Sequence, residues 1–241
     1  MIRNLLSRTI IISLFAIAMG FLESAVVVYL RAIYYPEGFA FPLKIIDGPI
    51  AVTEILREAA TMIMLLTVCM LTAQRWIIRF AWFIYMFAIW DIFYYVFLWL
   101  ILGWPESLLS WDILFLIPTT WVGPVLAPLM NSVTMIVLGL AIIQVGQVGQ
   151  VGRVGLTGLE WGLLIIGSLI TMAAYMEDYT RFMLKKFTLI DWVSLSDKSA
   201  ILEYSGTYIP GSFNWLLFLS GTFLFFLCIF LFSRRSFSST K

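Results

Sequence analysis

Residues 54–71 read EILREAATMIMLLTVCML, and three ionisable side chains stand at the start of this stretch. Glu54, Arg57 and Glu58 are followed directly by a predominantly apolar run, residues 62–71. Charged side chains inside a bilayer are costly, so they usually face the interior of a helix bundle or a water-filled cavity. The stretch therefore predicts a membrane helix with a polar face turned away from lipid.

The overall composition supports a membrane protein. Of the 241 residues, 62% are hydrophobic and only 12% are charged, whereas an ordinary soluble domain carries about a quarter charged residues. The apolar residues form several long runs, and a membrane-spanning helix needs about 20 of them. We therefore predict an all-α protein: a polytopic integral membrane helical bundle of about six transmembrane helices, forming a single transmembrane domain over residues 1–241.

The residues that are missing exclude several functions. The chain contains no histidine, which excludes His-ligated haem, the usual catalytic zinc sites and any His-based catalytic triad. Cys69 and Cys228 lie far apart, each in an apolar run, and form no CxxC pair. The net charge is +1 and no basic cluster is present, so no nucleic acid partner is expected. No ligand spacing resembles a known metal motif, so neither a cofactor nor a dedicated metal site is predicted.

The first apolar run has two interpretations. It follows Arg3 and Arg8, and residues 16–18 (AIA) are typical of a signal-peptide cleavage site. However, apolar residues continue beyond Glu23 to Leu30, further than the 7–15 residues typical of a signal peptide. We therefore predict a retained first span. The six predicted spans cover residues 9–30, 50–73, 77–102, 113–143, 159–176 and 213–232.

The fourth predicted span is interrupted by prolines. Pro118, Pro124 and Pro128 fall within eleven residues and cannot all belong to one regular helix. Irregular backbone at membrane depth is tolerated where protein or a water-filled cavity surrounds it. Segment 104–128 is therefore predicted to contain a half-helix or re-entrant segment before a span from about Val125 to Ile143. The alternative is a proline-kinked helix with an interfacial start.

Two further segments were assigned from their patterns. Residues 144–158 contain QVG three times and then RVG, a period of three that fits neither a helical face nor a strand, so a flexible loop is predicted. Residues 179–190 alternate apolar and basic side chains, which favours a helix lying at the membrane interface. The loops on the side of the two termini carry slightly more Lys and Arg, which places both termini in the cytoplasm. The expected location is a bacterial cytoplasmic membrane.

The charges inside the predicted spans fall at one depth. Glu23 lies seven residues before the end of the first span, Glu54 lies near the start of the second, and Asp91 lies near the middle of the third, eleven residues before its end. With both termini cytoplasmic, all of them lie in the half of the membrane away from the cytoplasm. They predict one pocket, with these candidate residues: Glu23, Glu54, Arg57, Glu58, Asp91, Tyr94, Tyr95 and Asp112.

The predicted pocket contains more acidic than basic side chains. The four carboxylates in the spans outnumber one arginine, and the surplus has to be met by protonation, hydrogen bonds, water or a bound cation. The alternative is purely structural: Glu54 and Asp112 stabilise helix N-termini, and Arg57 pairs with Glu23 or Asp91 to hold the helices in register.

Three functions fit such a pocket. A binding or transport module would take a proton, a cation or a polar small molecule. A membrane-embedded enzyme would use Glu54, Glu58 or Asp91 as general acid or base on a lipid or apolar substrate, with Arg57 holding an anionic group. An accessory or structural subunit would join a larger membrane complex. The expected partners are therefore membrane lipids, a small ligand or cation, and partner subunits. The chain has no nucleophile elbow or phosphate-binding signature, so a non-enzymatic role is favoured.

Overall fold

The computed structural model describes residues 2–147, 155–194 and 198–237. Six of its helices are long and apolar enough to cross a membrane, which confirms the prediction of an all-α polytopic membrane bundle. Secondary-structure elements follow in this order: α1 Ile2–Tyr34, α2 Gly48–Thr72, α3 Trp76–Leu102, β1 Trp111–Phe115, β2 Trp121–Pro124, α4 Leu126–Gln147, α5 Gly158–Met183, α6 Leu189–Ser194, α7 Lys198–Ser205 and α8 Trp215–Phe237.

Local sequence signals set several helix ends. Pro49 stands in the first turn of α2, where its missing N–H costs no hydrogen bond. Gly103 ends α3 with φ +66° and donates its N–H to the Trp99 carbonyl, a left-handed cap that glycine adopts without strain. Thr157 and Glu160 form a capping box at the start of α5.

The proline-rich segment differs from the prediction. It contains a two-stranded antiparallel hairpin, β1–β2, rather than a half-helix or a kinked helix. The prolines occupy positions that need no ladder N–H: Pro118 lies between the strands and Pro124 ends β2, while Pro128 falls in the first turn of α4. Aromatic and β-branched residues in the two strands favour extended backbone. The span that follows begins at Leu126, one residue from its predicted start.

The two other pattern-based assignments also differ in detail. Residues 179–183 belong to α5, so the predicted interfacial helix 179–190 does not form as a separate element. Phe182 and Phe187 pack on Tyr204 of α7 instead, with the Phe182 ring stacked on Tyr204 at 4.4 Å between centroids. In the predicted loop 144–158, α4 continues to Gln147 and α5 begins at Gly158, and residues 148–154 lie outside the described residues.

The long helices pack as two groups. In one group α3 lies between α1 and α4, with α2 on its flank; in the other α5 pairs with α8, and α8 also contacts α4. Small residues allow close approach, as is common between membrane helices. A Cβ atom at Gly139 of α4 would lie 2.9 Å from the Ala81 carbonyl oxygen of α3, and one at Gly221 of α8 would lie 2.8 Å from the Gly167 carbonyl oxygen of α5.

The α5–α8 contact gives a test of the fold. Gly221→Ala forces the two backbones apart, since its Cβ would also meet Thr171 Cγ2 at 2.7 Å. Overpacking of this kind costs about 1–3 kcal/mol, so the midpoint of thermal unfolding in detergent is expected to fall. Gly162→Ala on α5 is the matched control, because no described atom lies within 4 Å of its Cβ. An equal fall in both variants would contradict the packing.

Candidate functional site

A cavity of about 240 Å³ lies between α1, α2, α3, the 35–47 loop and β1. We call it the acidic cavity. The structure brings all eight sequence-predicted residues together on its wall, although they come from four separate parts of the chain. They are Glu23 of α1, Glu54, Arg57 and Glu58 of α2, Asp91, Tyr94 and Tyr95 of α3, and Asp112 of β1.

Arg57 joins two helices through two carboxylates. Its Nε donates to Glu54 Oε2 at 2.8 Å, and its Nη1 donates to Glu23 Oε2 across the gap to α1. Glu54, Arg57 and Glu58 share one face of α2 because residues three and four apart lie side by side on a helix. Two of the five carboxylates of the cavity thus share one guanidinium.

The Glu58 carboxyl contacts the β1–β2 hairpin and not a basic side chain. Its Oε2 accepts a hydrogen bond from the backbone N–H of Leu116 at 3.3 Å, just beyond the end of β1. The side chain is buried. Among the described residues it forms no salt bridge.

The Asp91 carboxyl of α3 accepts a hydrogen bond from a residue of α4. Its Oδ2 accepts a hydrogen bond from the Ser132 hydroxyl at 2.7 Å. It too has no salt-bridge partner in the part of the chain that the structure describes. Each of these two carboxyls therefore has one neutral donor and no counter-charge in direct contact.

Asp112 is the best-satisfied carboxylate of the cavity. It accepts from the hydroxyls of Tyr95 at 3.2 Å and Tyr94 at 3.5 Å, and Arg31 Nη2 lies 3.4 Å from its Oδ1. Burial raises the pKa of the Asp112 carboxyl to about 6, against the opposing effect of the Arg31 guanidinium and the tyrosine hydroxyls. Asp112 lies in β1, not at a helix N-terminus.

Arg31 was missed by the sequence analysis. It was assigned to the loop after a span ending at Leu30, whereas α1 continues to Tyr34. Its spacing from Glu23 gave a signal, because residues 23, 27 and 31 repeat every four positions and share a helical face; all three line the cavity. The guanidinium stacks over the Trp104 ring at 3.8 Å and faces the Phe39 ring at 4.5 Å from its centroid.

Comparisons with protein-family models, curated proteins and solved structures gave no match. Within the described residues, no three acidic or thiol side chains converge in a way that would hold a metal ion. The chemical interpretation of the cavity thus depends on its own geometry.

Arg57→Gln tests the link between α1 and α2. Without the guanidinium, the buried Glu54 and the half-buried Glu23 lose their counter-charge. Breaking a fully buried ion pair costs about 3–5 kcal/mol and an exposed one about 0–1 kcal/mol, so a cost of about 2 kcal/mol is expected for this partly buried bridge. We expect a matching loss in the free energy of unfolding, measured by chemical denaturation in detergent.

Arg181→Gln is the control for this loss. It breaks an ion pair with Glu177 in which the arginine side chain is 74% exposed, so its cost is expected to be about 0–1 kcal/mol. Similar losses in the two variants would contradict the structural role of Arg57.

Asp112 gives a pH-dependent prediction. The pKa of the Asp112 carboxyl is about 6 in the folded protein, against 3.8 for an unperturbed aspartate. As the pH rises, the unfolded chain therefore loses this proton at a lower pH than the folded protein does. Its contribution to the free energy of unfolding is therefore full below about pH 4 and is lost as pH rises to about 6. Asp112→Asn removes this contribution, and the thermal midpoint is expected to depend less on pH between 4 and 7. An unchanged slope would contradict the assignment.

Proposed function

We propose that this protein is a membrane-embedded binding or transport module whose acidic cavity accepts a proton, a cation or a polar small molecule with a positive charge. The observation that carries the proposal is a pair of cavity carboxyls, Glu58 and Asp91, that have no basic partner among the described residues. The other three carboxylates, Glu23, Glu54 and Asp112, all contact an arginine.

The charge balance of the wall supports this proposal. Five carboxylates line the cavity, against Arg31, Arg57 and Lys44. Lys44 is exposed, and its ammonium lies 5.5 Å from the centre of the Tyr35 ring. An enclosed carboxylate without a counter-charge is costly unless it takes up a proton or a cation. A positively charged ligand beside Glu58 or Asp91 would relieve this cost at that carboxyl.

The remaining lining favours an organic ligand. Aromatic rings of Tyr34, Tyr35 and Trp90 line the same cavity, and aromatic faces attract ammonium groups. Apolar side chains such as Val27 and Leu30 complete the wall. Binding pockets for small molecules combine apolar walls with a few polar groups in this way.

We further propose that the cavity opens toward the non-cytoplasmic half of a bacterial cytoplasmic membrane, with both termini in the cytoplasm. The excess of Lys and Arg on the side of the termini supports this orientation. Whether the ligand only binds or also crosses the membrane depends on a second opening.

Ligand-induced stabilisation tests the proposal. The purified protein would be heated across a pH series with ethylamine, choline, Mg²⁺, Ca²⁺ and lipids, since a ligand that binds only the folded state raises the unfolding midpoint. We expect at least one positively charged ligand to raise the unfolding midpoint. At a ligand concentration of 100 Kd, the free energy of unfolding is expected to increase by about 2.7 kcal/mol. Glu58→Gln and Asp91→Asn are expected to lose this response.

Glu106→Gln serves as the control, because Glu106 is exposed and lies outside the cavity lining. It is expected to respond as the wild type does. The proposal fails if no cation or pH change shifts the midpoint, or if all three variants respond equally.

A further inference from the structure

Arg31 has hydrogen-bonding capacity that the described structure does not use. The residue is 7% exposed, and within the described part of the chain its side chain makes one polar contact, the 3.4 Å approach of Nη2 to Asp112 Oδ1. Its Nη1 is buried without a hydrogen-bond partner among the described residues. A guanidinium carries five N–H donors, and the two on Nη1 have no acceptor among the described residues.

Asp112 does not depend on this arginine alone. Its Oδ2 accepts from Tyr95 and Tyr94, which hold the carboxylate on the side opposite to the Arg31 contact. The rings of Trp104 and Phe39 fix the plane of the guanidinium. A buried, oriented guanidinium with spare donors suits an oxyanion, which it binds through two parallel hydrogen bonds.

The basic and acidic binding groups are separated along β1. Arg31 contacts Asp112 near the start of the strand, whereas Glu58 contacts Leu116 just beyond its end. Four residues of extended strand span about 13 Å of backbone, so the two groups meet the cavity wall at different positions along β1. A molecule with two opposite charges joined by a short linker can meet both.

We propose that the ligand of the acidic cavity is zwitterionic, with an amine toward Glu58 and a phosphate on Arg31. This rests on the proposed function, which supplies the site for the amine. A phosphate offers several oxygens, so it can also contact the Lys44 ammonium at the cavity rim. The chemistry is that of an ethanolamine phosphate, either as a phospholipid headgroup or as the free compound.

Equilibrium binding in detergent tests this assignment with four probes: ethanolamine, phosphoethanolamine, dihexanoyl phosphatidylethanolamine and dihexanoyl phosphatidylglycerol. At least one ethanolamine phosphate is expected to bind about tenfold or more tightly than ethanolamine, as expected for a charge-assisted oxyanion contact. The phosphatidylglycerol probe lacks the amine and is expected to bind more weakly than its ethanolamine counterpart. Tighter binding of the lipid probe identifies a membrane source, and tighter binding of phosphoethanolamine identifies a soluble one.

The variants assign the phosphate to Arg31. Arg31→Gln combined with Asp112→Asn replaces the ion pair by a neutral pair and avoids an uncompensated charge, and Arg31→Lys keeps the charge without the fork. The measured quantity is the ratio of the affinities for the phosphate probe and ethanolamine, expected to fall from at least about 10 to about 1 in the double variant and to an intermediate value in Arg31→Lys. Arg181→Gln, outside the cavity, is the control and is expected to keep the wild-type ratio.

The failures of the two proposals are distinguishable. The zwitterionic ligand is overturned if ethanolamine and the phosphate probes bind with equal affinity. It is also overturned if the ratio of affinities is unchanged in the folded double variant. In both cases, binding of ethanolamine still supports the cation site. Absence of binding by all four probes overturns this inference. If ethylamine, choline and divalent cations also fail to bind, the proposed function fails as well.

Discussion

The ion-pair bridge from Arg57 to Glu23 and Glu54 is the contact on which the acidic cavity depends. Helices α1 and α2 both pack on α3, and Arg57 connects them directly to each other. Three charges in apolar helices are tolerable only because they satisfy one another away from lipid. The bridge therefore fixes one wall of the cavity. Because the Arg57 guanidinium pairs with Glu23 and Glu54, it does not pair with Glu58.

The hairpin completes the enclosure with backbone as well as side chains. β1 contributes Asp112 to the tyrosine pair of α3, and the N–H that follows the strand reaches Glu58 on α2. Irregular backbone near a membrane needs partners of this kind for its polar groups. On the other side, β2 packs against α5, so the hairpin also joins the two groups of helices.

The sequence was most informative where charge and hydrophobicity conflicted. Ionisable residues in or beside apolar runs identified the eight candidates that share the cavity. Helical spacing accounts for those on α1, α2 and α3, whereas Asp112 reaches the cavity from β1. The hairpin was not predicted, since a short apolar run such as residues 113–117 fits a strand or a buried helix equally well. Arg31 was missed because a basic residue after an apolar run is typical of a span end. The bond from Ser132 to Asp91 joins residues 41 positions apart, which no local pattern indicates.

A purely structural role explains only part of this charge pattern. It accounts for Arg57, Glu23 and Glu54, which satisfy one another and link two helices, and for Asp112, which holds the hairpin to α3. It also gives Glu58 a contact with the hairpin and Asp91 a contact with α4, but it leaves both carboxyls on the cavity wall without a basic partner among the described residues. It does not account for a buried guanidinium with unused donors on the same wall. Arg31 keeps its ion pair with Asp112, but its Nη1 has no acceptor among the described residues. The proposed zwitterionic ligand would supply an acceptor there and a counter-charge at Glu58, which lowers the cost of burying both groups.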